Sequence, residues 1–300
     1  MTYLACLDLG FITAWLNRNS TALLIALSLA PLGADAEQRK AEFNRIVSIG
    51  GSVTEIIYAL GQQHRLIARD STSSFPAEVM TLPDVGYMRA LSPEGVLSVN
   101  PDLIVAEEGS GPPAVIDLLN AASVSFVTVP DRFSNQGIID KVLAVGRALD
   151  VESKAQALAK SLTVELAAAE AAANANYGPR KKVLFVLSTR GGKILASGTN
   201  TAADGMIRMA GAVNAISEFE GYKPLSDEAV IASAPDIILV MDRGGDHSTA
   251  ADELFAMPAV ATTPAAQSRA IIRMNGLYLL GFGPRTGKAI LQLNKALYEG

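Results

Sequence analysis

Short apolar runs alternate with stretches of helical period along most of the chain. Residues 45–49, Arg-Ile-Val-Ser-Ile, read as a buried strand. Gly50-Gly51 follows, then a helix from Ser52 to about Leu60, with Ser52 and Glu55 spaced as a capping box. Pro101-Asp102 launches a second strand over 103–106. A helix over 113–121 and a strand over 126–129 come next. The theme returns with a strand over 182–187, a hairpin-like Gly191-Gly192, a helix over 201–210, and strands over 237–241 and 271–274. Strands alternating with helices predict parallel α/β sheets.

Between the two series, residues 151–175 hold neither Gly nor Pro, and Leu158, Leu162, Leu166, Ala169 and Ala173 recur at helical spacing on one face. A helix of this length is a rod of roughly 37 Å. It predicts a stiff spacer between two lobes, with little hinge motion. The expected organisation is 1–36 as an export signal, 37–150 as an N-terminal lobe, 151–176 as the connecting helix and 177–300 as a C-terminal lobe.

The two lobes repeat one sentence. Gly86/Gly221, Tyr87/Tyr222, Leu91/Leu225, Ser92/Ser226, Glu94/Glu228, Val96/Val230, Pro101/Pro235 and Asp102/Asp236 fall in register with a one-residue gap. Two distant copies mean two related lobes and not a solenoid. Facing lobes make a cleft to which each presents the same loop.

Composition narrows the setting. Arg18 precedes an uncharged apolar run over 21–32, and Ala34-Asp-Ala36 gives the small-x-small pattern of a cleavage site. A run of twelve residues is too short to span a bilayer, so no stable membrane insertion is expected. Cys6 is the single cysteine and precedes the expected cleavage, which removes disulfides and thiolate metal sites from the mature chain. The net charge of −5, or −4 after 1–36 is removed, comes with no basic cluster, which argues against nucleic acid as a partner. Gly50-Gly51 does not complete a dinucleotide or phosphate-loop pattern, and no nucleophile elbow or metalloprotease motif occurs, so an enzyme is not expected.

An export signal, two Rossmann-like α/β lobes with parallel sheets and one long backbone helix resemble the helical-backbone class of ABC-transporter solute-binding proteins. Asp84-Val-Gly-Tyr-Met-Arg89, Gly198-Thr-Asn-Thr-Ala-Ala-Asp204 and Leu280-Gly-Phe-Gly-Pro-Arg-Thr-Gly287 resemble its periplasmic haem-binding subgroup, over about residues 43–298. The resemblance implies a monomeric periplasmic protein that captures haem in the inter-lobe cleft and passes it to an ABC permease with its ATPase. A ferric siderophore or cobalamin carrier of the same fold is the alternative, and an exported α/β enzyme ranks behind both.

Tyr87 is then the expected axial ligand, since a phenolate suits hard ferric iron and tyrosine ligates haem elsewhere. Free tyrosine titrates near 10, so positive charge nearby is needed. Arg89, two residues on, shares a face with Tyr87 in an extended loop, and the resemblance implies the same supporting role for Arg243. An ordinary loop tyrosine with its hydroxyl in water is the plainer reading. Tyr222 lacks the arginine, with Lys223-Pro224 following it, and reads as cleft lining. Relatives can carry an iron-ligating histidine near Arg190, where this chain has none. Iron bound by tyrosine alone, or a second ligand from elsewhere, follows. Arg190 and Lys193 are candidates for pairing with haem propionates. Of the two histidines, His64 reads as exposed, while His247, in a Gly-rich loop after a strand, is a candidate second ligand. Glu94 and Glu228 open equivalent helices; their placement suits the helix dipole, and the resemblance implies docking to the permease. Arg285, early in the last helix, has no assigned role.

Overall fold

The computed structural model describes residues 43–175, 178–242 and 251–299. The export signal, Arg243 and His247 lie outside the described residues.

The N-terminal lobe runs β1 (Ile46–Ile49), α1 (Gly51–Ala59), β2 (Leu66–Arg69), α2 (Pro93–Leu97), β3 (Leu103–Glu107), α3 (Pro113–Ala121), β4 (Ser125–Val129) and α4 (Asn135–Ala148). Its four strands form a parallel sheet in the order β2-β1-β3-β4. β1 and β3 are buried along their whole length, as unbroken apolar runs covered on both faces should be.

After α5 (Glu152–Asn174) come β5 (Lys182–Ser188), β6 (Leu195–Ser197), α6 (Ala202–Met209), β7 (Val213–Asn214), β8 (Tyr222–Pro224), α7 (Asp227–Ser233) and β9 (Ile237–Asp242). The chain closes with α8 (Ala251–Ala256), α9 (Pro258–Ala261), α10 (Pro264–Gln267), β10 (Ile271–Asn275), α11 (Gly276–Leu280) and α12 (Thr286–Tyr298). The second sheet has the order β10-β9-β5-β6-β8, with β7 beside β5. Its β10-β9-β5 half is parallel, but β6 and β8 are antiparallel to their neighbours, so this sheet is mixed where a parallel one is expected. The cause is the turn at Gly191-Gly192, both at positive φ, which folds the chain straight back beside β5.

The repeated residues do the same work twice. Asp102 accepts the backbone N–H groups of Asn44 and Arg45 at the start of β1, and Asp236 accepts that of Lys182 at the start of β5. Ser92 and Ser226 cap α2 and α7 by accepting from Gly95 N and Ala229 N. Gly86 and Gly221 stand at φ 105° and 80°, a region that disfavours side chains.

Ala155, Ala159, Leu162, Leu166, Ala169 and Ala173 form the buried face of α5, close to the stripe read from the sequence; Leu158 is half-buried at its margin. α5 packs on α4 and on α12, and one apolar core continues from the first lobe through α5 into the second. The helix is therefore a shared wall of the core and not a rod crossing solvent.

The expected capping box is absent. Gly50, at φ 106°, is the N-cap of α1 and no side chain caps it. Ser52 and Glu55 are held instead by Glu107 and Arg285, long-range partners that outcompete the local ones. Side chains at Gly50 and Gly51 would collide with Glu107 and Leu277, so the glycine pair exists for close approach.

Candidate ligand-binding cleft

In open α/β sheets the loops at the carboxyl ends of strands collect chemistry. The loops after β1 and β2 meet the segment after β10 directly: Gly51 approaches Leu277, Gly283 approaches Ser52, and Arg285 stacks 3.7 Å from the centroid of Phe75. The lobes thus join at these contacts.

Tyr87 lies on the loop between β2 and α2. Asp84 fixes this loop: one carboxylate oxygen pairs with Arg69 at 3.0 Å and the other accepts Gly86 N–H at 2.8 Å. Ser71 N–H donates to Gly86 O, Ala90 N–H to Tyr87 O and Gly111 N–H to Met88 O. Met88 points into the core, so its neighbours Tyr87 and Arg89 point out; Tyr87 is 47% exposed. The Ala90 N–H to Tyr87 O bond closes a turn over Met88 and Arg89, so the extended loop expected from the sequence is a turn here; phenol and guanidinium are still both exposed on a loop whose backbone is pinned at four points. Such an arrangement can present a phenol oxygen to a ligand with little further ordering.

Tyr222 takes a different setting from its repeat partner. It begins β8, half-buried, with its ring 6.3 Å from that of Phe185 in an edge arrangement. Burial pushes its hydroxyl above the usual tyrosine range, opposed by Thr201 and the Ala203 backbone at the start of α6 and by the charge of Arg89. The charge of Arg89, on the loop of the other copy of the repeat, is thus felt at Tyr222. Gly198–Asp204 builds this wall: Thr201 caps α6 by accepting from Asp204 N–H, and Asn200 N–H donates to Asp204.

Arg190 and Lys193 are exposed on the turn at the carboxyl end of β5, where anionic groups of a ligand can reach them. His64 is exposed in a 3-10 turn before β2, at the opposite end of that strand from the loop that carries Tyr87. Glu94 and Glu228 are exposed in the first turns of α2 and α7; hydrogen bonds from its own backbone N–H and from Ser226 hold Glu228 below the usual carboxylate range. Among the described residues no three His, Cys, Asp or Glu side chains gather as a metal site, and no helix is long and apolar enough to cross a membrane.

One set of functional-looking residues escaped the sequence reading. Lys141, Glu107, Asp131 and Ser52 form a buried hydrogen-bonded cluster, beside the ion pair of Glu55 with Arg285 at 2.5 Å. Lys141 had a signal: it sits between Ile138 and Val145 on the apolar face of α4, where a charge needs partners.

Residues 46–276 match the periplasmic binding protein family. The chain belongs to that family. Among solved structures, the periplasmic haem-binding protein BhuT in complex with two haems is 38% identical, with a TM-score of 0.80 over 85% of this chain and 98% of that one. The periplasmic haem-binding protein RhuT from Roseiflexus sp. RS-1, in apo form, is 39% identical, with a TM-score of 0.81 over 85% and 98%. An uncharacterised ABC transporter substrate-binding lipoprotein of Bacillus subtilis, YvrC, is 30% identical over 68% of this chain; the match spans 65% of that relative's length. A vitamin B12-binding protein of Vibrio parahaemolyticus is 23% identical over 83% of this chain and 87% of its own. Family members bind ligands for transport, and the described fold, two α/β lobes joined by a long helix, is theirs.

Proposed function

We propose that this protein captures ferric haem between its lobes in the periplasm and delivers it to the permease of an ABC importer. Tyr87 supplies the iron ligand. Arg89 and Arg243 stabilise its phenolate, and Arg190 and Lys193 meet the propionates. Tyr222 lines the far wall and His247 is the candidate for a second ligand. The observation that carries this reading is the Tyr87 loop: a phenol presented outward on a backbone fixed by Asp84 and Gly111, with a guanidinium two residues away. The likeness to BhuT and RhuT supports haem as the ligand class. Cobalamin is the second reading, favoured by the vitamin B12-binding relative. A cobalamin brings its own cobalt ligands and makes no use of an exposed phenol beside an arginine.

Native mass spectrometry of residues 37–300 mixed with equimolar hemin, cyanocobalamin and a ferric catecholate separates these readings. A haem adduct alone is expected; a cobalamin or catecholate adduct in its place would overturn the haem assignment.

Arg89→Ala removes the cation two residues along the chain from the phenolate while leaving the loop anchored. Haem should still bind, about tenfold more weakly (~1.4 kcal/mol), and the phenolate spectrum of the complex should form at higher pH. An unchanged titration would make Arg89 a bystander. The same substitution should raise Tyr222 further, since Arg89 lowers it.

Glu94 and Glu228 are read as the docking contacts to a two-fold permease. Replacing both by Ala should leave haem binding intact and slow delivery to reconstituted transporter, because rim charges govern encounter and register. High salt should bring wild-type uptake down towards the mutant, since exposed pairs are screened. Wild-type delivery by the double mutant at low salt would reduce both to helix-start carboxylates.

A further inference from the structure

The densest buried charge lies away from the Tyr87 loop, where the lobes join. Lys141 on α4 is fully buried. Its Nζ lies 2.7 Å from Asp131 Oδ1, 3.0 Å from Ser52 Oγ, 3.1 Å from Glu107 Oε1 and 3.3 Å from the carbonyl oxygen of Gly281. Four acceptors compete for three ammonium protons. Three belong to the N-terminal lobe; Gly281, in the turn between α11 and α12, belongs to the other. Glu107 ends β3, and its second oxygen accepts from Ser52 at 2.9 Å.

The charges around Glu107 do not balance. Lys141 from α4 faces it with Asp131 from the loop after β4, and Glu55 from α1 stands nearby with Arg285 from the start of α12. Two cations meet three carboxylates. Asp70, behind Gly50, is engaged by Gly50 N–H, Thr72 and Ser73, and Glu108 pairs with Arg132 at the surface, so neither supplies or removes the excess.

We propose that Glu107 and Lys141 form a proton-linked clasp between the lobes, closed onto Gly281 when Glu107 is protonated and loosened when it is ionised. With Glu107 neutral, Asp131 matches the charge of Lys141 and an ammonium proton is left for Gly281. With Glu107 ionised, the ammonium is drawn back into the N-terminal lobe and one buried negative charge stands unmatched. Burial pushes the Glu107 carboxyl up to about 7, with Lys141 opposing and Asp131 reinforcing the rise. Burial acts to lower Lys141, but Glu107 and Asp131 together hold it above its ordinary value, so the carboxyl is the group that titrates. An unfolded glutamate titrates at about 4.3. The folded chain therefore carries an extra proton between that value and 7; the stability this contributes is present on the acid side and lost as pH rises through 7.

The clasp reaches the cleft wall by contact. Phe282, next to Gly281, is buried with its ring 5.3 Å from Phe133 and touches Gly205 of α6, the helix whose first turn faces Tyr222. Lys141 and Glu107 are positioning residues for that wall, and the inference stands whichever ligand the cleft takes.

Amide hydrogen exchange over residues 276–286, corrected for intrinsic rates and followed from pH 5.5 to 8.5 without ligand, tests it. In the wild type, protection at Gly281 and Thr286, whose amides donate to Leu277 O and Gly283 O, should fall about tenfold or more with a midpoint near 7, a coupling of about 1.4 kcal/mol. Glu107→Gln keeps the shape and a hydrogen-bonding group and should stay protected across the range. Asp131→Asn removes the charge that helps raise Glu107, so its midpoint should move to lower pH. A flat wild-type profile overturns the clasp. So does a Glu107→Gln profile that retains the wild-type midpoint, or an Asp131→Asn midpoint that does not move.

Discussion

Tyr87→Phe should weaken ferric haem binding by more than about 100-fold, beyond the 10–100-fold usual for the loss of a group that only orients a metal ligand. Phenylalanine keeps the ring and its exposure but removes the oxygen. The loop should be unaffected, because Asp84, Gly86, Met88 and Gly111 hold it through backbone and core contacts that do not involve the hydroxyl. Loss of affinity with an unchanged unfolding transition is therefore the expected pair of results. Titration of the variant with hemin, followed in the visible spectrum, checks the first, and thermal unfolding checks the second. Retained affinity with an unchanged spectrum would remove Tyr87 from the iron.

Lys141→Met should be the most damaging single change to stability away from the cleft. Methionine approximates the volume of the lysine stem but leaves Glu107 and Asp131 facing each other in a buried site without their cation. Breaking a buried pair in this way costs about 3–5 kcal/mol, and the penalty requires ionised carboxylates. It should accordingly be large at pH 8 and smaller at pH 5.5, where Glu107 can take up a proton. Urea unfolding at the two pH values measures this difference. A loss below about 1 kcal/mol at both would mean the charges are screened as exposed pairs are.

Elements with a local cause were legible in the sequence. The apolar stripe of the long helix reappears as the buried face of α5, and α3 occupies the stretch predicted for it, launched by proline. The paired Gly-Tyr, Ser-x-Glu and Pro-Asp segments announced two related lobes, and the structure supplies their reasons: positive φ, helix caps and carboxylates that anchor β1 and β5. What stayed hidden depends on partners far along the chain. Ser52 and Glu55 fit a local cap pattern, yet Glu107 lies 55 residues from Ser52 and Arg285 lies 230 from Glu55. Arg285 itself had no assigned role until Phe75, Tyr278 and Glu55 closed around it. The influence of the Arg89 charge on Tyr222 was hidden for the same reason: the two lie in different copies of the repeat, and no periodicity encodes that.

In the proposed complex haem iron is held through the phenolate of Tyr87. Resonance Raman spectroscopy of the hemin complex, excited in its charge-transfer band, addresses that bond directly. The wild type should give enhanced phenolate ring modes that vanish in Tyr87→Phe. A haem complex without those modes, or one in which they persist unchanged in Tyr87→Phe, would contradict it.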